Sequence, residues 1–329
     1  MQAIWGLAAL WLVASGADAQ TPAPPEAQPV APGVWLIPGG FLPRREPDGN
    51  TIVLDAPKGL IVFDTGRHPW HQQAIETFAR KRGETIAAIV NSHWHLDHTS
   101  GDIELRRAYP QVRVYASRAI EGALKGFLPR SVVDTQAYLD SGRAAPETAE
   151  DLRGDIAVIK QGQALVPDVP IDSTRGMTIA GRRLEVHLAR AAATAGDVWI
   201  YDARDRIAIV GDLVTLPSPF LDTACPAGWR AALGDIWATP FRAAVPGHGP
   251  LMTRAQFAAY RAAFGDLIDC AATSRGKGEC ADDWTRAVQP MLDPGDLAQK
   301  RARGMTEDYV DLLRANGGKS PYCPAPGAA

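Results

Sequence analysis

The sequence predicts an α/β (α+β) fold with β-sheets in the interior and helices on the outside. Strand-like and helix-like segments occur in two successive groups along the 329 residues, which suits a core of two sheets with outer helices. Hydrophobic residues make up 46% of the chain and charged residues 22%, so the composition is that of a globular protein with a sizeable core.

The first group of elements extends from residue 51 to residue 125. Two β-rich runs, Thr51–Leu54 and Leu60–Phe63, are separated by Pro57-Lys58-Gly59, a pattern that predicts a hairpin. The apolar run Ile86–Val90 predicts a buried strand, and residues 91–101 directly after it are expected to form a loop. The other elements are a helix at 68–81, a helix at 103–109, a strand at 112–115 and a helix at 117–125.

Residues 126–170 separate the two groups. They are polar and interrupted by proline, which predicts helix in only part of the segment. The second group is expected to contain strands at 177–180, 183–188, 198–201, 207–210 and 242–245 and a helix at 228–237. The chain from Thr253 onward looks mostly helical. We therefore predict one domain at 33–252 and a C-terminal helical extension at 253–329 that packs on it.

The N-terminal residues 1–19 are predicted to be a signal peptide. Ala3–Ser15 is an almost unbroken apolar run, and Ala17-Asp18-Ala19 fits a small-x-small cleavage site. The run is shorter than the roughly 20 residues that span a bilayer, so no stable membrane span is expected. No Lys or Arg precedes the run, and a buried N-terminal helix is the alternative. We expect a periplasmic or secreted protein, with a proline-rich, unfolded linker at 20–32.

Four cysteines, all in the last third of the chain, predict two disulfides in an exported protein. Three pairings are possible. If Cys270 pairs with Cys280, it closes a short loop, and Cys225 with Cys323 then ties the C-terminal tail to the body of the protein.

Charge argues against one class of partner. The chain has 34 Lys and Arg against 37 Asp and Glu, a formal net charge of −3, and no long basic run. Nucleic acid is therefore not an expected partner. The sequence leaves the oligomeric state open.

The segment Asn91–Gly101 carries the strongest chemical signal. It places His93, His95, Asp97 and His98 within six residues, directly after the predicted strand at 86–90. Residues two apart in extended backbone point the same way, so the first two histidines are able to reach one ion. Imidazole nitrogen and carboxylate oxygen are suitable zinc ligands, and this spacing predicts a metal site. A surface cluster of polar loop residues is the alternative.

Two later segments add candidate ligands. Asp212 follows Ile209-Val210-Gly211 and is expected at the end of a buried strand. His248 lies in Pro246-Gly247-His248-Gly249, a tight turn after another strand. Each signal is weak alone, since strand-end acids and turn histidines are common. Together with the first motif they form a recognisable set.

With these motifs the chain resembles the metallo-β-lactamase superfamily over roughly residues 33–250. The resemblance implies a four-layer αβ/βα sandwich with metals along one edge of the paired sheets. It places His93 and His95 in a first metal site and Asp97, His98 and His248 in a second, with Asp212 bridging the two. The matching segments are Val62-Phe63-Asp64-Thr65-Gly66, the His-x-His-x-Asp-His motif at 93–98, Gly211-Asp212 and Pro246-Gly247-His248-Gly249.

The chain departs from the family at one expected ligand. The family usually has His-Thr-x-Gly-Asp before the second strand pair, whereas this chain reads Ala193-Thr194-Ala195-Gly196-Asp197. His187 substitutes for the missing histidine only if the intervening segment folds back, and a structural or surface role is the alternative. Counting ligands, we expect one tightly bound Zn²⁺ at the second site and a weaker ion at the first.

The resemblance implies a metal-dependent hydrolase with a small-molecule substrate. A metal-bound hydroxide is expected to cleave an ester, thioester, lactone or amide-type bond. Asp97, His93 and His95 are the candidate catalytic residues, since an uncoordinated histidine beside one ion is suited to act as general base. The alternative is a degenerate family member that binds metal for structure or sensing without turnover.

Other residues near these motifs have two interpretations each. Asp64 either orients a histidine ligand or caps the loop before the first helix. His68 and His71 are expected at the surface, with a place in the cleft as the alternative. Trp94 is expected to point away from the metal and to pack, with substrate binding as the alternative.

Overall fold

The structure, a computed structural model, describes residues 22–323 of the chain. The predicted signal peptide at 1–19 lies outside these residues and stays a prediction. Within them the strands form two sheets, one of seven strands and one of six.

The seven-stranded sheet is mixed. Its first four strands pair antiparallel, and the next three continue from the fourth in parallel. The predicted hairpin and the buried strand after it are confirmed with the same bounds. In both sheet and chain order the strands are β1 (Gln28–Ala31), β2 (Val34–Ile37), β3 (Thr51–Leu54), β4 (Leu60–Phe63), β5 (Ile86–Val90), β6 (Arg113–Ala116) and β7 (Val169–Pro170).

The segment at 20–32 is not an unfolded linker throughout. Its last part is β1, which pairs antiparallel with β2 and forms an edge of the first sheet, with Pro29 opposite Trp35. Proline lacks an N–H group but is tolerated in an edge strand, where one side makes no ladder bonds. The prediction is therefore wrong for residues 28–31, because proline content does not distinguish an edge strand from a linker.

The six-stranded sheet contains the second group of strands. Its pairs are antiparallel except for one parallel pair, β11 with β12. The sheet order is β13-β12-β11-β10-β9-β8. The strands are β8 (Arg175–Ile179), β9 (Arg182–Arg190), β10 (Gly196–Asp202), β11 (Ile207–Thr215), β12 (Ala243–His248) and β13 (Met252–Thr253).

Helices connect and cover the sheets. The first begins with Pro69, whose missing N–H is harmless in the first turn, and ends at Gly83 in the left-handed conformation (φ 67°). Among residues 22–323 no helix combines the length and apolar character needed to cross a bilayer. The helices are α1 (Pro69–Arg82), α2 (Leu96–Thr99), α3 (Asp102–Ala108), α4 (Ala119–Ala123), α5 (Phe127–Asp140), α6 (Pro146–Lys160), α7 (Pro226–Ala238), α8 (Arg254–Ala271), α9 (Lys277–Val288) and α10 (Asp296–Ala315), with short 3₁₀ turns at Gly162–Leu165 and Gln289–Met291.

Alternation along the buried strands builds the layers. In β10, Val198 and Ile200 pack between the two sheets, whereas Trp199 and Tyr201 face the helices on the outer side. Residues of the same strand face the two sides in turn because side chains alternate across a sheet. In β4, residues likewise alternate between the inter-sheet core and a second cluster under α1. The four-layer sandwich with helices outside is thereby confirmed.

The C-terminal helices share the core of the second sheet. Phe264 of α8, Trp284 of α9 and Val310 of α10 belong to the same buried cluster as Trp199 and Trp229. Helix α8 begins with a capping box, in which Thr253 accepts a hydrogen bond from the backbone of Gln256. Residues 254–315 are thus packed on the sandwich.

Both predicted disulfides are present. Cys225 bonds to Cys323 and Cys270 to Cys280, with Cα–Cα distances of 5.2 and 5.7 Å. These distances lie in the usual range for a disulfide. Of the three possible pairings, this one closes one short loop and attaches the tail near residue 323 to the start of α7.

Candidate metal centre

The histidine-rich motif begins where β5 ends, at the edge where neighbouring parallel strands also end. His95 has extended backbone (φ −63°, ψ 146°), whereas Asp97 and His98 lie in the single turn of α2. The prediction of a loop across 91–101 is therefore wrong for α2. Its turn is closed by the hydrogen bonds of His98 N to His95 O, at 3.1 Å, and Ser100 N to Leu96 O, at 3.0 Å.

Four predicted ligands form one compact group. Asp97, His98, Asp212 and His248 are buried, and one ligand atom from each lies within 4.8 Å of the others. His248 Nε2 is 2.9 Å from Asp97 Oδ2, and His98 Nε2 is 3.1 Å from Asp212 Oδ1. Two imidazoles and two carboxylates at this spacing are a suitable donor set for one zinc ion.

The remaining two predicted ligands form a second group with Asp212. Ligand atoms of His93, His95 and Asp212 also lie within 4.8 Å of one another. Asp212 thus belongs to both groups, the position from which one carboxylate is able to bridge two ions. The group of His93, His95 and Asp212 has three donors, against four in the group of Asp97, His98, Asp212 and His248.

Buried polar atoms without partners lie where a cation would bind. His93 Nε2 and Asp212 Oδ2 are buried, have no hydrogen-bond partner and lie 3.8 Å apart. Leaving such atoms unpaired costs free energy in a protein interior. The donor set and its unpaired atoms therefore fit a bound metal ion.

Electrostatics supports the same conclusion. Burial alone lowers the pKa of His98, but the carboxylates of Asp212, Asp97 and Asp64 outweigh it and raise that pKa well above 6.5. Burial likewise opposes charge on Asp97 and Asp212, yet His98 and His248 hold both carboxyl pKa values below the ordinary range. The buried carboxylates are therefore stabilised by positive charge nearby, and a divalent ion bound by Asp97, His98, Asp212 and His248 would supply that charge in place of the proton on His98.

Asp64 orients two histidines of the centre, which settles its role. Its carboxylate is 2.8 Å from His98 Nδ1 and accepts hydrogen bonds from Ser92 N and Ser92 Oγ, both at 2.7 Å. Since the Ser92 hydroxyl proton goes to Asp64, Ser92 Oγ accepts from His93 Nδ1 at 2.9 Å. Both histidines therefore direct Nε2 toward the cluster.

Thr223 holds His95 and was not found from the sequence. Its hydroxyl donates to Ala193 O at 2.9 Å and lies 3.0 Å from His95 Nε2. Because the hydroxyl proton is already used, His95 Nε2 donates to Thr223, and His95 Nδ1 is the nitrogen left for a metal. No local pattern marks this threonine, which is distant in sequence from the motif.

His187 does not complete the centre. It lies in β9 opposite Trp199 and stacks on that ring, with centroids 3.8 Å apart. It belongs to neither group of potential ligands found among residues 22–323. Ala193 itself is buried, in the turn between β9 and β10.

The surface placement predicted for His68 and His71 is wrong. Both are buried. His68 Nδ1 is 2.7 Å from Asp48 Oδ2, and its ring stacks on Trp70. His71 Nε2 is 2.8 Å from the hydroxyl of Thr51. The sequence did not reveal this burial, because both residues lie at the start of a helix whose N-terminal turn is covered by the loop at 39–50.

Asp212 does not end its strand, contrary to the prediction, since β11 continues to Thr215. Gly211 has a φ of 51°, and the register with β12 shifts on both sides of it. A Cβ at Gly211 would lie 2.4 Å from Ser92 Cβ, and one at Gly247 would lie 1.9 Å from Asp212 Oδ1. Glycine is thus required where the two segments approach the metal centre. His248 likewise lies in β12 and not in the turn after it.

A cleft of about 470 Å³ opens onto the centre, with His95 and Asp97 in its lining. Helices α5, α6 and α10 supply parts of its wall, including Phe127, Asp155 and Tyr309. Trp94 is 6% exposed and packs in a cluster with Leu128, as predicted, but it also lines the cleft and its ring contacts that of His95.

Arg67 is a second residue that sequence reasoning missed. Its guanidinium lines the cleft, pairs with Asp155 and lies 3.9 Å from Asp97 Oδ1. Burial opposes its charge, but these carboxylates raise its pKa, so it remains a cation. Only its position beside Asp64-Thr65-Gly66 was available as a signal.

Comparison with known proteins agrees with this geometry. The sequence profile of the metallo-beta-lactamase superfamily matches residues 44–254. A metallo-beta-lactamase from Pontibacter korlensis is similar in structure, with a TM-score of 0.53 and 18% identity over 73% of this chain and 99% of that one. At that identity the likeness concerns the fold.

Curated relatives match over shorter stretches. An atrochrysone carboxyl ACP thioesterase of Aspergillus fumigatus is 32% identical over 131 residues, 39% of this chain and 41% of the relative. A linear primary-alkylsulfatase of a Pseudomonas species is 26% identical over 219 residues, 60% of this chain and 40% of the relative. The aligned segments thus span less than half the length of these relatives.

Proposed function

Because the chain belongs to the metallo-beta-lactamase superfamily, we propose that it is an exported zinc-dependent hydrolase that cleaves an ester, thioester, lactone or amide-type bond. The observation that carries the proposal is the pair of ligand groups sharing Asp212, with buried donor atoms that lack partners. Thioesterase and sulfatase names among the relatives support hydrolysis as the reaction class.

Zinc is the metal that these donors favour. Imidazole nitrogens with one or two carboxylates are typical zinc ligands, whereas magnesium and calcium prefer oxygen donors alone. Asp97, His98, Asp212 and His248 would hold the tighter ion. His93 and His95, with Asp212 shared, would hold a weaker one. When bound, zinc lowers the pKa of a coordinated water toward about 7 and polarises the scissile carbonyl.

The protein's own residues position the reactants and accept the proton. Burial, reinforced by the charges of His95 and His98, lowers the pKa of His93 well below 6.5, so that imidazole is neutral near pH 7. Its Nε2 lone pair faces Asp212 and is suited either to bind the weaker ion or to accept a proton from the attacking water. Asp97 and Asp212 stay ionised and hold positive charge at the cleft floor.

Export is supported by two features. The apolar segment at the N-terminus has the pattern of a cleavable signal. Two disulfides join all four cysteines, and disulfides persist mainly in oxidising compartments such as the periplasm or the extracellular space.

One observation favours the alternative, a metal-binding protein without turnover. Ala193 leaves the group of His93 and His95 one donor short of a full set. The open cleft beside the centre favours the enzyme, because a purely structural metal site is usually closed to substrate.

Metal content and hydrolysis, measured on the same preparations, test the proposal. We expect at least one tight zinc ion per chain and activity on some member of an ester, thioester, lactone, amide and sulfate-ester panel. Asp97→Ala and His248→Ala each delete a ligand and should lose the tight ion and nearly all activity. His187→Ala, outside the centre, is the control. Zinc binding without turnover on any substrate would support the alternative, and full activity in Asp97→Ala would refute the site.

A further inference from the structure

Aromatic side chains flank the candidate centre on two sides of the cleft. Phe41 and Phe220 both contact His248, with ring centroids 5.4 and 5.2 Å from its imidazole. On the other side, Trp94 packs against His95 at 4.6 Å and against Phe127 at 5.3 Å. Each ligand group therefore has an apolar wall beside it, and a substrate across the centre meets apolar surface on both sides of its scissile bond.

The charged residues of the cleft are mostly acidic. Beyond the candidate ligands, the lining contains Glu46, Asp155 and Asp222 but a single cation, Arg67. The guanidinium Nη1 pairs with Asp155, Nε donates to Pro47 O at 3.1 Å, and Nη2 lies 3.9 Å from Asp97 Oδ1. With Asp155 paired to Arg67, Glu46 and Asp222 remain as acids that have no cationic partner among the described side chains of the lining.

Resting on the proposed hydrolase function, we propose that the substrate is uncharged, with an apolar or aromatic group on each side of the bond that is cleaved. The cleft discriminates against substrates with a carboxylate or sulfate beside that bond. The reason is that Glu46 and Asp222 repel the anion, while the aromatic walls offer it no hydrogen bonds. The cleft volume of about 470 Å³ suits a molecule of the size of an aryl or medium-chain ester.

A matched pair of esters tests this selectivity. The pair is meta-carbamoylphenyl butyrate, which is neutral, and meta-carboxyphenyl butyrate, which is similar in size and anionic. In both, water adds its oxygen to the acyl carbon and loses a proton, the acyl–oxygen bond breaks, and the phenolic oxygen leaves with the electron pair and takes up a proton, so that the products are butyric acid and the phenol. With the zinc-loaded protein, we expect kcat/KM for the neutral ester to exceed that for the anionic one by about tenfold or more.

Variants locate the source of the selectivity. Asp222→Asn combined with Glu46→Gln keeps the shape of the wall and removes two negative charges, so it should raise kcat/KM for the anionic ester several-fold relative to that for the neutral ester and so reduce the selectivity. Asp235→Asn, at an exposed acid of α7 outside the cleft, is the matched control and should change neither. Equal rates for the two esters, or preference for the anion, would overturn the inference while hydrolysis itself stands.

Binding separates a failure of the inference from a failure of the proposed function. If the zinc-loaded protein cleaves neither ester, the phenolic products are compared by calorimetry on the metal-free protein. Tighter binding of meta-hydroxybenzamide than of meta-hydroxybenzoate supports the selectivity of the cleft even without turnover. Equal or tighter binding of the benzoate overturns it.

Discussion

Single hydrogen bonds decide which nitrogen His93, His95 and His98 offer to a metal. His93 and His98 are held through Nδ1, by Ser92 and Asp64, and present Nε2. His95 is held the other way, through Nε2 by Thr223, and presents Nδ1. Such oxygen partners fix the tautomer and ring orientation of metal-binding histidines. At this scale the chemistry depends on residues that are not ligands themselves.

Thr223→Val should weaken metal binding by the group of His93 and His95. The substitution keeps the branched shape but removes the oxygen that receives the proton of His95 Nε2, and loss of such a partner typically costs about 10–100-fold in metal affinity. Zinc titration by calorimetry should show weaker binding of the ion at His93 and His95, whereas the affinity of the tight ion should be nearly unchanged. Thr223→Ser keeps the hydroxyl and should behave like wild type. Two unchanged affinities in Thr223→Val would show that Thr223 only packs.

At the scale of elements, the junction between β5 and helices α2 and α3 positions the motif. Asp102, the first residue of α3, is buried and accepts hydrogen bonds from Asn91 at 3.1 Å and Thr65 at 2.9 Å. These residues come from the ends of β5 and β4, so one carboxyl joins three elements behind the centre. Burial raises its pKa from 3.8 to about 7 despite these bonds.

This raised pKa predicts a specific pH dependence of stability. The folded state binds the proton of Asp102 more tightly than the unfolded state, so the favourable contribution is complete below pH 3.8 and is lost as pH rises toward 7. Asp102→Asn removes this titration. From pH 4 to pH 7.5, the free energy of unfolding of the variant should rise relative to wild type by roughly 2–4 kcal/mol. Urea denaturation across this range measures the difference, and a constant difference would contradict the assignment.

At the scale of the whole molecule, the C-terminal part of the chain supports the centre from outside. Tyr309 of α10 donates a hydrogen bond to Asp222 at 2.7 Å, and Ser320 N donates to Ala224 O at 3.1 Å. The disulfide from Cys225 to Cys323 ties down the same loop. That loop carries Thr223, so the tail and the last helix are connected to the support of His95.

Removing this disulfide should destabilise the protein and loosen the loop. The bond links residues 98 apart in sequence, and a loop of that length predicts a loss of about 2–5 kcal/mol when both cysteines become serine. The matched control replaces Cys270 and Cys280, which are 10 residues apart and should cost less in the same chain-entropy model. Urea denaturation gives both values. Zinc titration should show weaker binding at the group of His93 and His95 only in the Cys225→Ser, Cys323→Ser variant. Unchanged binding at this group would show that the tail does not support the metal centre.

The sequence by itself determined the buried strands and the set of candidate ligands. Strands such as β3, β4 and β5 are short apolar runs with clear turn residues at their ends, and local pattern is sufficient to predict them. The motif at 93–98 was recognisable because four potential ligands are adjacent in the chain. Asp212 and His248 are weak signals alone and became candidate ligands only in combination with that motif and the family resemblance.

Only the tertiary structure decided what surrounds those ligands. Thr223 contacts His95 from 128 residues away. Arg67, in the loop before α1, pairs with Asp97 of α2 and Asp155 of α6. The turn of α2 and the burial of His68 depend likewise on packing against the loop at 39–50 and α6. Contacts between distant segments leave no periodicity in the chain. The hydrogen bonds that orient the histidines and the walls of the cleft therefore form only when the two sheets and the C-terminal helices come together.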